Sequence, residues 1–118
     1  MRAEVRGWLS EALREGDDRH DITDIEAGIE DGDYALVEGV HTAIVLEIVR
    51  YPRRKILRVF LAGGETGKAL PELIAKLPWL HRMARDLGAT LELQGRRGWL
   101  RTLQPHGWRE AFVTMIKE

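Results

Sequence analysis

The sequence predicts an α/β (α+β) domain built on one mixed sheet with helices on both faces. Three observations predict it. The first residues carry an apolar stripe at helical spacing. Residues 34–61 then switch to three runs rich in β-branched side chains, separated by short turns. After them a long helical pattern lies between two strand patterns, the arrangement of a parallel crossover. The predicted order is α-α-β-β-β-α-β-α-β, in a single domain spanning residues 1–118.

The elements follow from the residues in turn. Val5, Trp8, Leu9, Ala12 and Leu13 fall at i, i+3, i+4, i+7 and i+8, one face of an amphipathic helix that ends near Gly16. "TDIE" at Thr23–Glu26 has Thr and then Glu three residues later, a capping box for a short second helix that stops at "EDGD". "YALVEG" is a short strand. "VHTAIVLEIVRY" is a longer one, with Ile44, Leu46 and Ile48 on one face and Ala43, Val45, Glu47 and Val49 on the other. Apolar residues on both faces imply cover on both sides. Pro52 in "YPRR" ends that strand, and "KILRVFLAG" returns antiparallel to it.

Leu70, Leu73, Ile74, Leu77, Leu80, Ala84 and Leu87 keep helical phase over the next stretch. Pro71 suits a first turn, Pro78 predicts a kink or brief break, and Gly88 is a natural stop. "ATLELQ" is a strand, "GWLRTL" a short helix, "PHG" a turn and "WREAFVTMIKE" a last strand.

Composition narrows the function classes. At 44% hydrophobic and 31% charged residues the chain has the composition of a folded domain. It contains no Cys, which excludes a disulfide framework, thiol catalysis and Cys-ligated zinc. No run approaches the roughly 20 apolar residues of a membrane span, and no leader is evident at residues 1–16. The expected location is the cytoplasm. Net charge is −1, which argues against bulk nucleic-acid binding. The charge is uneven: Ser10 to Asp33 holds ten acids and two Arg, while Arg50–Arg58 and Gly95–Arg109 are basic.

Two stretches invite sharper readings. "AGGETGKA" sits between a strand and a helix, as a P-loop does. Ala62 stands where the first Gly belongs, however, and Ala69 where the Mg²⁺-binding hydroxyl belongs. What remains is a Gly-rich turn or a different phosphate cradle. In "GRRGWLRTLQPHGWRE", Arg96, Arg97, Arg101 and Arg109 form either a solvated face or an anion or partner site. Trp99 and Trp108 read as core, with base stacking as the alternative. "DDRHD" at Asp17–Asp21 has no compact metal-ligand spacing, and no metal is expected. His41, His81 and His106 are scattered and receive no catalytic role. Trp79 and Met83 are core or a partner surface.

With "FLAGGETGKALPEL" after the third strand and "LQPHGWREAFV" near the end, the chain resembles the GNAT acyltransferase superfamily. "YPRRKILRVFLAGG", "GRRGWLRTL" and "GWREAFVTMIKE" look like a group of small GNAT-like proteins of phages and prophages. The resemblance implies acetyl-CoA as cofactor, cradled by Leu61, Ala62, Gly63, Gly64, Thr66, Gly67, Lys68 and Ala69. The physical basis is that a helix N-terminus offers free N–H groups and partial positive charge to a pyrophosphate. The opening Arg or Gln of the family's loop pattern is missing here, and Glu65 adds a negative charge. Members often carry a Tyr four residues before a terminal turn Gly, as proton donor to the leaving thiolate. Counting back from Gly107 gives Leu103. Glu47 is the mid-strand candidate for a general base. The resemblance therefore implies either a structural or host-binding protein with a degenerate acyl-CoA site, or an N-acyltransferase with a non-standard acid. The partner is then a protein or an amine substrate, and the location a host-cell cytoplasm or a virion; the last strand, close to residue 118, is also expected to be open to pairing with a second copy.

Overall fold

The computed structural model describes residues 1–16, 18–95 and 98–118. Helices α1 (Ala3–Glu15) and α2 (Ile22–Asp31) precede three antiparallel strands, β1 (Ala35–Glu38), β2 (Thr42–Arg50) and β3 (Lys55–Gly64). Helix α3 (Ala69–Asp86) carries the chain back to β4 (Thr90–Leu93), which pairs parallel to β3. Helix α4 (Gly98–Leu103) and a 3₁₀ turn (Gln104–His106) follow. The sheet order is β1-β2-β3-β4, so the mixed sheet and the parallel crossover are as the periodicity predicts.

The sheet is covered on both sides. On one face, Ile44, Leu46, Leu57 and Val59 bury themselves against Leu73, Leu77, Leu80 and Ala84 of α3. On the other, Ala43 and Val45 meet Val5 and Leu9 of α1 and Ile25 of α2. The alternation in β2 therefore sorts its side chains between two cores, each several residues deep. Strand β3 breaks parity once. Val45 pairs with Leu61 and Leu46 with Val59, so Phe60 is an extra residue in β3. Phe60 and Leu61 consequently both face the α1–α2 side, where the Tyr34 ring stacks on Phe60 at 5.2 Å.

Two sequence expectations are corrected. The capping box lies two residues earlier than Thr23–Glu26, at Asp21 and Asp24. The Asp21 side chain accepts from the Thr23 and Asp24 amides, and the Asp24 carboxylate accepts from the Asp21 amide. A carboxylate is a stronger acceptor than a hydroxyl for the free amides of a first turn. Helix α3 runs on through Pro78 to Asp86. The predicted last strand is absent from the sheet: Trp108–Glu118 has no regular secondary structure. β-propensity expresses itself only where a ladder partner is in register, and this segment has none among the described residues. No helix among the described residues is long and apolar enough to cross a membrane.

Candidate functional site

The entrance to α3 is built from the β1–β2 connection and the loop after β3. The Glu65 amide donates to the His41 carbonyl at 2.9 Å, and the Thr42 hydroxyl donates to the Gly63 carbonyl at 2.8 Å. Gly67, at φ 81°, lets the loop turn left-handed into the helix. The Lys68 and Ala69 amides then donate back to the Glu65 carbonyl at 3.0 and 2.9 Å. Two of the loop's amides are thus used internally. Those of Thr66 and Gly67 make no backbone hydrogen bond among the described residues.

Two carboxylates occupy this entrance. Glu72, in the first turn of α3, accepts from the Val40 amide at 2.9 Å and the His41 amide at 2.8 Å. Glu65 lies 2.9 Å from His41 Nδ1 and 3.4 Å from Lys68 Nζ. The hydrogen bond from His41, and then the one from Lys68, hold the Glu65 carboxyl below the usual carboxylate range. Negative charge here satisfies the helix dipole from within the chain. Of the three glycines in the loop, Gly63 and Gly64 serve the chain's own packing. A Cβ on Gly63 would sit 2.5 Å from the Trp8 carbonyl oxygen, and one on Gly64 would collide with the His41 carbonyl oxygen. A pyrophosphate placed at this entrance, as the resemblance implies, would find the Thr66 and Gly67 amides beside two carboxylates. The amides of the entrance are partly spent, the faces of Gly63 and Gly64 are filled while that of Gly67 is open, and its two carboxylates carry the wrong sign for an anion.

Beyond this loop, β3 and β4 part company. Their last backbone bond runs from the Gln94 amide to the Val59 carbonyl at 3.2 Å. Strand β3 continues to Gly64 paired only with β2, so Leu61–Gly64 have no strand on the β4 side. Trp99, Leu103 and Trp108 join the α3-side cluster, together with Ala62 and Leu93. Leu103, at the position where the resemblance looks for Tyr, is buried. The Trp pair is half-buried in the same cluster, as the core reading of the sequence expects.

Glu47 lies elsewhere, on the α1–α2 side of the sheet. Its carboxylate is 3.1 Å from Arg58 Nη1, while Arg58 Nε reaches Glu92 at 2.6 Å and Nη2 donates to the Tyr51 hydroxyl at 3.1 Å. Burial opposes the charge on Arg58, but its hydrogen bonds to Glu92, Tyr51 and Glu47 outweigh this and raise its pKa. Glu47 is therefore engaged by an arginine and does not face the α3 entrance as a free base. Arg101 is exposed on α4. Arg109 lines a shallow hollow of about 400 Å³ with Tyr51, Arg54, Ile56, Glu92, Ala111 and Phe112. Arg96 and Arg97 lie outside the described residues.

Sequence reasoning missed the partners that matter most: His41 and Glu72 at the loop, and Arg58, Glu92 and Tyr51 around Glu47. Nothing local marks them. Glu47 and Arg58 are brought opposite each other by the β2–β3 register, and Arg58 and Glu92 by the β3–β4 register.

No protein-family model matches the chain, and no curated protein matches it. Solved structures do. A Trypanosoma brucei acetyltransferase overlays with a TM-score of 0.62 at 14% identity, covering 96% of this chain and 94% of that one. A protein described as a possible acetyltransferase from Clostridium difficile 630 gives 0.67 at 10% identity, over 97% and 88%. A Bacillus halodurans protein gives 0.63 at 14% identity, over 98% and 92%. At such identities the likeness is one of architecture, and it spans nearly the whole chain: this protein has the fold of the GNAT-type acetyltransferases.

Proposed function

We propose that this chain is a GNAT-fold protein with a degenerate acyl-CoA site, and that it works by binding a protein partner. A structural or host-binding role in a phage or prophage setting, implied by the sequence resemblance, goes with that reading. One observation carries it. Glu65 and Glu72 stand at the N-terminus of α3, where a pyrophosphate would need donors and positive charge. A phosphate placed there meets two carboxylates that the chain already holds by hydrogen bonds. The buried Leu103 supports the same reading, since it has no proton to supply.

The test is calorimetry and thermal denaturation with acetyl-CoA and with free CoA. The expected result is no saturable heat and no shift at millimolar ligand. A ligand at about 100 times its Kd would stabilise the fold by about 2.7 kcal/mol, so binding of useful strength would be plain. A saturable shift that disappears in Gly67→Trp would overturn the proposal.

A second reading, an acyl-CoA-dependent N-acyltransferase, draws on one observation: the edge of β3 from Leu61 to Gly64 that β4 leaves without a partner. Release of free thiol from acetyl-CoA, dependent on an added amine, would decide for it.

A further inference from the structure

The β2–β3 turn gathers arginine at one end of the molecule. Strand β2 ends at Arg50, β3 begins at Lys55, and Tyr51, Pro52, Arg53 and Arg54 connect them. The Tyr51 amide donates to the Arg54 carbonyl at 2.8 Å, and the Arg54 amide to the Tyr51 carbonyl at 3.4 Å, which closes the turn. Arg50, Arg53 and Arg54 are all exposed. Helix α3 ends against this turn, because Lys55 Nζ donates to the Leu87 carbonyl at 3.0 Å, and it adds Arg85 in its last turn. Arg109 adds a further cation across the hollow of about 400 Å³ that it shares with Arg54.

These cations have no use inside the chain. Arg2, Arg6, Arg58 and Lys68 are each matched by a glutamate. Among the described residues, Arg50, Arg53, Arg54, Arg85 and Arg109 form no ion pair. Glu92, the acid of the hollow, is already bonded to Arg58 at 2.6 Å, and Asp86 is the acid of the last turn of α3. Like charges gathered on one turn repel each other, and no internal contact offsets that.

Guanidinium forks match carboxylates and phosphates alike. Two features favour carboxylates on a protein. A long phosphate chain gains from a broad positive field, and this chain has a net charge of −1 with ten acids between Ser10 and Asp33. A short acidic segment needs only the local patch. The arginines are also interleaved with apolar surface: Tyr51 is 51% exposed, and Ile56 and Phe112 line the hollow. Arg and Tyr around an apolar depression are the composition of a protein-interface hot spot. We propose that this arginine end is the docking surface for the partner and that it takes an acidic protein segment. Carboxylates lie on Arg50, Arg53 and Arg54, and an apolar side chain of the segment enters the hollow beside Tyr51. This deepens the partner-binding reading above and rests on it.

The experiment is fluorescence anisotropy with the full chain and two labelled probes at about 50 mM salt, where screening leaves surface charge effective. One probe is an oligoglutamate peptide of about ten residues with a central leucine, and the other is a single-stranded oligonucleotide of the same length. The peptide should bind saturably and more tightly than the oligonucleotide. The double variant Arg53→Glu, Arg54→Glu should weaken peptide binding by about tenfold or more. Both residues are exposed, so its thermal transition should match the wild type. Arg14→Glu, the same kind of charge change at an exposed position on α1, should leave peptide binding within about twofold of wild type. Absence of saturable peptide binding overturns the proposal. So does tighter binding of the oligonucleotide, or an equal loss in Arg14→Glu, which would make net charge the cause. The CoA titration judges the acyl site alone, so either result can fail without the other.

Discussion

Replacing Arg58 with Ala tests whether the ionic row across the sheet holds the fold. Arg58, Glu47 and Glu92 keep only 12%, 19% and 21% side-chain exposure. The substitution leaves two largely buried carboxylates aimed at one vacated space. Breaking a buried pair typically costs about 3–5 kcal/mol, and the remaining exposure of both acids puts this site at the lower end, about 3 kcal/mol. With an unfolding entropy of about 2.1 cal/mol/K per residue, 118 residues give about 0.25 kcal/mol/K. The melting temperature should then fall by about 12 °C. Urea denaturation and calorimetry at neutral pH measure both quantities. Arg58→Met combined with Glu47→Gln and Glu92→Gln should recover most of the loss, because the uncompensated charges leave with the cation. A loss below about 1 kcal/mol for Arg58→Ala, the value of an exposed pair, would refute the argument. Failure of the triple variant to recover would point instead to lost packing by the Arg58 stem.

Three further outcomes are expected. Gly63→Ala should destabilise by about 2 kcal/mol or more, since its Cβ meets the Trp8 backbone, whereas Gly67→Ala has open space and should cost only about 1–2 kcal/mol of left-handed strain; equal losses in urea melts would contradict this. Leu103→Ala should cost about 2–5 kcal/mol as a core truncation, and a neutral result would mean that Leu103 does not pack as described. Asp21→Ala should lower the melting temperature at neutral pH by uncapping α2. The Thr23 hydroxyl and then the Asp24 amide hold the Asp21 carboxyl below its ordinary value of 3.8. Its contribution is therefore complete above that value and fades as pH falls through the lower folded value. The gap between Asp21→Ala and wild type should close below pH 3.8 in acid titrations followed by circular dichroism, and a gap that widens there would sink the assignment.

Most elements of this fold were legible because their signals are local. The stripe of Val5 and Leu9, the alternation from Ala43 to Leu46 and the phase from Leu73 to Ala84 each describe a face, and a face must be buried. The Phe60 bulge was not legible, because an extra residue is defined only against the partner strand. The same holds for the cap at Asp21, which competed with an equally plausible pattern two residues later.

The candidate site residues divide along the same line. Glu65 in the loop, and Leu103 four residues before Gly107, could be placed by counting along the chain. That His41 and Lys68 hold Glu65, that Glu72 spans to the β1–β2 connection, and that Arg58 joins Glu47 to Glu92 depended on register and on the crossing of α3. Residues 108–118 show the limit most plainly. Their composition is that of a strand, yet a strand exists only when its backbone donors and acceptors find an edge, and only the assembled sheet determines which edge is free.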